Sequence, residues 1–230
     1  MKKFIYLFPA LALLSCGSES TEENPEHLAT DTLASVQETE EEMIIDISLN
    51  KILEIPSACK VEGDLVDAYS WKDLNGTNYF IRTLGKVEEG GDLEGLPTQS
   101  QYLYAYHYTE NAKGEFQLVE DIVDFVKDCE FDIILGHELD AISLTDLDSN
   151  QVGEIAFIYR TSCTSDVSPS TQKLILLENG TKYALRGSTE VMGMGGEFEP
   201  DQAFDSAPDG FQAHAESMWK DHIVEFDFEL

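Results

Sequence analysis

The chain has 230 residues, of which 45 are Asp or Glu and only 14 are Lys or Arg, so its formal net charge at pH 7 is −31. This excess of negative charge repels phosphates and other anions, which excludes nucleic acid, polyanionic glycans and anionic lipid headgroups as partners. Neutral ligands, basic proteins and divalent cations remain as candidate partners.

The N-terminus has the pattern of a bacterial lipoprotein signal. Lys2 and Lys3 precede an apolar run over residues 4–14, and the run ends in Leu-Leu-Ser-Cys at residues 13–16. A membrane-spanning helix needs about 20 apolar residues, so this shorter run is typical of a signal peptide. The last four residues resemble a lipobox, in which the Cys thiol receives a lipid before cleavage. We therefore expect a signal peptide over residues 1–15 and a membrane anchor through lipid on Cys16.

The next segment, residues 16–42, is predicted to be a lipidated acidic tether. From residue 17 it carries nine Asp or Glu and no Lys or Arg, with few large apolar residues to bury. Residues 18–23 resemble the acidic export signal that sends lipoproteins of the Bacteroidota to the outer leaflet, and a plain spacer is the alternative. The predicted location is the outer membrane, with the protein exposed at the surface of a Bacteroidota-like cell. The mature chain keeps 12 basic and 45 acidic residues, a formal net charge of −33.

The remaining residues, 43–230, have the length of one ordinary domain. Short β-branched and aromatic runs alternate with Asn, Gly and Asp turns, which predicts antiparallel hairpins, including one with strands at 102–108 and 115–119. We expect a mainly β fold of hairpin repeats, propeller-like or sandwich, with one short C-terminal helix at 210–219. Alternation over residues 224–230 predicts a final half-buried strand.

An internal repeat indicates duplication within this domain. Residues 66–75 match residues 139–148 without a gap, and both copies lead into a strand that ends in Arg-Thr. The second copy is five residues longer. A shorter Asn-Gly similarity links residues 75–76 with residues 179–180, and Asn-Gly favours the type I′ turn of a two-residue hairpin, so this similarity can also arise by convergence.

Cysteine arithmetic predicts one disulfide. With Cys16 used by the lipid, Cys59, Cys129 and Cys163 remain in an exported setting that permits disulfides. Cys129 and Cys163 each lie close to a predicted strand edge, so we expect them to pair and Cys59 to stay free. Three free thiols are the alternative.

The extra length of the second copy contains a candidate calcium loop. Asp146, Asp148, Asn150 and Glu154 offer side-chain oxygens at alternating positions, and Val152 offers a backbone carbonyl. Such oxygen ligands suit Ca²⁺. The loop resembles the hairpin calcium loop of integrin-type β-propeller repeats, except that Gln151 occupies the position where Gly normally permits the turn. A metal-free turn rich in Asp and Asn is the alternative.

Four further residues are candidate ligand contacts. Arg160 and Arg186 each end a predicted strand, where they form structural ion pairs or clamp an anionic group. Asp166 and Ser168 lie in a polar loop after Arg160, and such loops often carry binding residues.

Several of these runs resemble a known family. Residues 145–154, 159–163, 166–169 and 182–187 resemble a flavobacterial lipoprotein family named for surface polysaccharide biosynthesis. The resemblance implies an outer-membrane setting and supplies no catalytic residues. The function predicted from the sequence is a non-enzymatic binding or assembly role, with an envelope protein or a neutral glycan as partner. The alternative is a glycan-active or acyl-transferring enzyme without a recognisable motif, for which Asp166 and Ser168 are the first candidates.

Overall fold

The computed structural model describes residues 44–91 and 94–225. The predicted signal peptide, the lipid anchor at Cys16 and the acidic tether lie outside the described residues, as do residues 226–230 of the predicted final strand. Among the described residues, no helix has the length and apolar character needed to cross a membrane.

The first sheet contains six antiparallel strands. They are β1 (Asp46–Ile52), β2 (Asp64–Asp73), β3 (Gly76–Leu84), β4 (Glu88–Gly91), β5 (Pro97–Glu110) and β6 (Phe116–Cys129). Strands β3 and β4 occupy successive lengths of one side of β5, and β6 pairs along the other side. The predicted hairpin at residues 102–119 is therefore confirmed, with strands longer than the sequence pattern indicates.

The second sheet contains five antiparallel strands in the order β13-β10-β9-β8-β7. These are β7 (Asp132–Thr145), β8 (Glu154–Thr164), β9 (Thr171–Glu178), β10 (Thr181–Ser188) and β13 (Phe198–Pro200). The short strands β11 (Glu190–Val191) and β12 (Met194–Gly195) form a separate ribbon. A 3₁₀ helix (Gln202–Ser206) and helix α1 (Phe211–Asp221) follow. The mainly β fold with a C-terminal helix is thus confirmed.

The two sheets pack face to face, so the sandwich is the arrangement that forms. Alternation along β8 sends Phe157 and Tyr159 into the core between the sheets, whereas Ala156 and Ile158 face the other way. Helix α1 covers that second face with apolar side chains, among them Trp219, which is fully buried. Both faces of strand β8 are therefore covered, which explains why the strand is apolar on both.

The outer face of the first sheet is covered by the segment between β1 and β2. There Cys59 is buried with Ala68 and Ile81, and burial together with the charge of Glu110 raises the pKa of its thiol to about 11. Backbone N–H groups of this segment donate to tyrosine hydroxyls of β5, for example from residue 60 to Tyr108 at 3.1 Å. Cys59 is a free thiol, as predicted.

The Cys129–Cys163 disulfide joins the end of β6 to β8 and so ties the first sheet to the second. It confirms the predicted pairing. A second link between the sheets is made by Arg82, which forms a buried ion pair with Asp67 of the same sheet, with Nη2 2.6 Å from Oδ2. The same guanidinium donates through Nη1 to the carbonyl of Glu138 in β7 at 3.0 Å, where the β7–β8 register shifts.

The two segments that match in sequence, residues 66–75 and 139–148, each lead into an antiparallel hairpin, β2–β3 and β7–β8, with a different loop. In the first copy Asp73 pairs with Gly76, so Leu74 and Asn75 form the turn between β2 and β3. In the second copy the loop covers residues 146–153 and is therefore much longer. The insertion inferred from the sequence thus lies in the loop that carries the candidate calcium ligands.

The two Asn-Gly pairs are not structurally equivalent. Asn179 and Gly180 form the β9–β10 turn with φ of 46° and 78°, as a type I′ turn requires. Gly76 instead lies in β3, where a Cβ atom would sit 2.3 Å from the carbonyl oxygen of Glu110. The type I′ expectation is therefore wrong for the first pair, because Gly76 lies in the strand, where both its φ of 127° and its close approach to β5 require glycine.

We expect the Cys129→Ser/Cys163→Ser double variant to lose about 3 to 4 kcal/mol of unfolding free energy. The bond closes a loop with a sequence separation of 34, and such a loop restricts the unfolded chain by roughly this amount. Urea denaturation with and without a reductant measures the change. Reduced wild type should match the variant, and the variant should not respond to the reductant. Peptide mapping that finds Cys59 in a disulfide would contradict the pairing.

Candidate functional site

The β7–β8 loop, residues 146–153, is shaped by its own short polar side chains. The Asp148 carboxylate accepts a hydrogen bond from the Asn150 N–H at 3.1 Å, and Asn150 Oδ1 accepts one from the Val152 N–H at 2.7 Å. Ser149 and Gln151 adopt left-handed backbone conformations with φ of 60° and 67°. Gln151 therefore adopts a left-handed backbone conformation that favours Gly, although it carries a side chain.

This loop brings three of the predicted ligands together. Oxygen atoms of Asp146, Asp148 and Glu154 all lie within 4.8 Å of one another. Calcium binds oxygen at about 2.3 to 2.6 Å, so two ligands on opposite sides of one ion lie at most about 5 Å apart. The separation of the three carboxylates is therefore compatible with a single calcium ion.

Glu154 is the buried member of this group. Its side chain is fully buried, and the Leu147 N–H donates to both carboxylate oxygens, at 3.0 and 3.1 Å. Burial, and to a smaller extent the charge of Asp148, raises the pKa of Glu154 above its ordinary value. A nearby divalent cation would favour its charged form.

The other two predicted ligands lie beside the three carboxylates. The Asn150 amide donates to Asp148 Oδ2 at 3.1 Å and to Glu178 Oε1 at 2.6 Å. Val152 is buried and lies in the wall of an adjacent cleft. The loop therefore contacts β9 on one side and borders the cleft on the other.

A buried carboxylate connects this loop to the first sheet. Asp73 accepts hydrogen bonds from Trp71 Nε1, the Asn75 N–H and the Gly153 N–H, at 3.1, 2.8 and 3.1 Å. A Cβ atom on Gly153 would lie 2.7 Å from Trp71 Nε1. The glycine in this loop is thus required by packing against Trp71.

The adjacent cleft, about 620 Å³ in volume, lies among three hairpin turns: β2–β3, β5–β6 and β9–β10. Five side-chain amides line it, and the carboxylates of Asp73 and Glu115 are its acidic groups; the amides belong to Asn75, Asn78, Asn111, Gln117 and Asn179. Between the β2–β3 and β9–β10 turns, the side-chain amide of Asn75 donates a hydrogen bond to Asn179 Oδ1 at 3.4 Å. Residues far apart in sequence therefore meet at this cleft.

His107 is a functional candidate that the sequence reasoning missed. It is 3% exposed and lines the cleft, its ring stacks on Trp71 with centroids 5.3 Å apart, and its Nε2 lies 2.8 Å from Asn78 Oδ1. Nδ1 has no hydrogen-bond partner among the residues the structure describes. Burial lowers the pKa of His107 to about 4, although the charge of Asp73 opposes this. The sequence contained one signal for His107. Alternation along the predicted 102–108 strand places it on the same, inward face as Leu103 and Ala105.

The two arginines predicted as ligand contacts lie on opposite faces of the second sheet. Arg160 shares a face with Ile158, which packs in the cluster beneath helix α1, whereas Arg186 shares a face with Ala184, toward the first sheet. The two guanidinium groups therefore cannot clamp one anion together.

Both arginines form ion pairs. Arg160 lies 3.2 Å from the Glu138 carboxylate and also donates to the carbonyl of His222 at 3.0 Å, which holds the chain after helix α1. Arg186 lies 3.5 Å from the Asp201 carboxylate. These contacts agree with the structural alternative for the two residues.

Asp166 and Ser168 form a local turn in the loop between β8 and β9. The Ser168 hydroxyl donates to Asp166 Oδ1 at 2.5 Å, and the Thr164 hydroxyl donates to the same oxygen at 3.0 Å. These bonds, that of Ser168 first, lower the pKa of the exposed Asp166 carboxyl. The Ser168 hydroxyl is therefore hydrogen-bonded to the Asp166 carboxylate, which is a weak base.

Comparison with known proteins found no matching family model, no matching curated protein and no matching solved structure. The resemblances to a flavobacterial lipoprotein family and to integrin-type repeats therefore stay predictions from the sequence.

We expect His107 to make the protein acid-sensitive between pH 6.5 and pH 4. The pKa is about 4 in the folded chain and 6.5 in the unfolded chain, so the unfolded state binds more protons in this window and stability falls as pH decreases. The loss should be about 2 kcal/mol between pH 7 and pH 5. Urea denaturation at pH 7, 6 and 5 should show a shallower pH dependence for His107→Gln. Equal pH dependence in the two proteins would contradict the expectation.

Proposed function

We propose that this protein is a lipid-anchored protein of the cell surface with a non-enzymatic binding or assembly role, and that Ca²⁺ stabilises its β7–β8 loop. The observation that carries the calcium part of the proposal is the convergence of the carboxylates of Asp146, Asp148 and Glu154 within 4.8 Å. Three carboxylates this close repel one another unless a cation lies among them.

In this proposal the three carboxylates supply the charged ligands, and Asn150 and Val152 supply neutral oxygens. The ion stabilises the loop by offsetting the repulsion of these charges and the burial of Glu154. Because Gln151 accepts a hydrogen bond from the Leu74 N–H at 2.9 Å, a stabilised loop also supports the turn of the first copy. Calcium therefore has a structural role here.

The cell-surface setting is supported by the N-terminal sequence. The lipobox-like residues 13–16 and the acidic residues after Cys16 favour export and lipid anchoring at the outer membrane. The charge of −33 on the mature chain disfavours anionic partners, which leaves an envelope protein or a neutral glycan. The resemblance to a flavobacterial lipoprotein family, noted in the sequence, favours a role in surface polysaccharide biosynthesis.

A binding role is proposed in preference to a glycan-active or acyl-transferring enzyme. The first catalytic candidates were Asp166 and Ser168, and the lowered pKa of Asp166 makes its carboxylate a poor general base. The hydrogen bond from the Ser168 hydroxyl to the Asp166 carboxylate is that of an ordinary polar turn, which accounts for their geometry.

We expect millimolar Ca²⁺ to raise the melting temperature of the wild type and to leave that of Asp148→Ala unchanged. Ligand binding to the folded state alone stabilises by about 2.7 kcal/mol at a hundredfold excess over the dissociation constant. A dissociation constant on the order of 10⁻⁴ to 10⁻³ M is typical of extracellular sites. Differential scanning calorimetry in chelator and in Ca²⁺ measures the shift.

The matched control for this measurement is Asp64→Ala, which removes an exposed carboxylate at the start of β2 and should keep the full calcium shift. Mg²⁺ at equal concentration controls for general screening of the acidic surface. Equal calcium shifts in wild type and Asp148→Ala would contradict the calcium loop.

We expect the wild type to incorporate labelled fatty acid in cells and to partition with membranes, because the thiol of Cys16 receives the lipid. Cys16→Ser should remove the label and release the protein or stall its processing. Membrane fractionation and radiolabelled palmitate measure both effects. A Cys16→Ser protein that is still acylated and membrane-bound would show that the anchor lies elsewhere.

A further inference from the structure

We propose that the cleft among the β2–β3, β5–β6 and β9–β10 turns binds a neutral glycan, namely one or two sugar residues of an uncharged polysaccharide. This inference rests on the proposed binding role. It does not require that calcium occupies the neighbouring β7–β8 loop.

The cleft has the size of a ligand site. Its volume is about 620 Å³, within the range of about 300 to 1,000 Å³ that is usual for small-molecule pockets. Its walls are hairpin turns held by hydrogen bonds, such as those of the Asp73 carboxylate. A preformed site of this kind orders few groups when a ligand binds.

The polar groups of the cleft match sugar hydroxyls. Each of its five side-chain amides carries donors and an acceptor, and each hydroxyl of a sugar is likewise both donor and acceptor. Among the described residues that line the cleft there is no Lys or Arg, and Asp73 and Glu115 are acidic. An anionic ligand is therefore repelled, whereas a neutral polyhydroxylated ligand is not.

Several of these groups have hydrogen-bonding capacity to spare. Gln117 and Asn179 are exposed residues. Neither the side chain of Gln117 nor the side-chain nitrogen Nδ2 of Asn179 makes a hydrogen bond to another described residue. At His107, Nε2–H must donate to Asn78 Oδ1, which is an acceptor only, so the unpaired Nδ1 is an acceptor. A buried acceptor without a partner is costly, and His107 lies in the lining of the cleft.

The cleft also offers an apolar wall. Phe116 is half-buried, and its ring stacks on Tyr79 with centroids 5.7 Å apart, which fixes its orientation. Val119 and the buried Val152 lie in the same lining. The C–H face of a sugar ring can pack on such a wall while its hydroxyls meet the amides.

The test applies the full mature chain, purified in detergent, to an array of neutral polymers and matched anionic ones. The neutral probes are glucans, galactans, mannans, rhamnans and N-acetylhexosamine polymers, and the anionic probes are polyuronates and sulfated glycans. We expect binding to at least one neutral polymer and none to the anionic probes. Failure to bind any neutral probe, or binding to the anionic probes alone, overturns the proposal.

Two variants test the cleft itself. Gln117→Ala removes an exposed amide from a strand, and Asn179→Gly removes another while keeping the left-handed φ of 46° accessible. Each should weaken binding about tenfold, as expected for the loss of one well-placed hydrogen bond. The control Asn50→Ala removes an exposed amide from β1 and should bind like the wild type. Unchanged binding in both cleft variants overturns the proposal.

Failure of the glycan site is distinguishable from failure of the calcium loop. A calcium-dependent melting shift without neutral-glycan binding would retain the calcium loop and overturn the glycan site. Neutral-glycan binding that is lost in the cleft variants, without a calcium shift, would retain the glycan site and contradict only the calcium loop.

Discussion

The carboxylate of Asp73 is buried between the two sheets, and a buried charge is tolerated only when hydrogen-bond donors surround it. Three N–H groups do so: the Trp71 indole, the backbone N–H of Asn75 in the β2–β3 turn, and the backbone N–H of Gly153 in the β7–β8 loop. This one group therefore fixes the β2–β3 turn against the β7–β8 loop. Both the carboxylate cluster and the adjoining cleft depend on that alignment.

Two further ties keep the sheets in register. The Arg82–Asp67 pair is buried, and removing either partner would leave an uncompensated charge in the core. Arg82, held in place by this pair within the first sheet, also donates to the carbonyls of Glu138 and Leu139 where β7 bulges, and these hydrogen bonds link the two sheets. The Cys129–Cys163 bond links β6 to β8 covalently. These contacts hold the two sheets together, although the two matching hairpins have loops of different length.

The strongly acidic composition has a different meaning at each candidate site. In the β7–β8 loop, the charges of Asp146 and Asp148 converge on a buried Glu154 whose pKa is raised, which favours a cation. In the cleft, amides predominate and the buried histidine is neutral near pH 7, because burial lowers its pKa to about 4. The negative net charge of the chain repels anions from both the loop and the cleft. One domain can therefore combine a cation-stabilised loop with a surface for uncharged ligands.

The sequence by itself determined the features that depend on neighbouring residues. Strand alternation and turn residues predicted the mainly β fold, the 102–119 hairpin and helix α1, and the matched segments located the long loop with Asp146, Asp148 and Glu154. Strand edges also favoured the Cys129–Cys163 pair. Only the tertiary structure decided what depends on distant contacts: Gly153 packs on Trp71, and Asn75 meets Asn179 across 104 residues. It also separated Arg160 from Arg186 and placed His107 in a cleft. Periodicity assigns a residue to a face of its strand, but the packing of two sheets decides which turns come together.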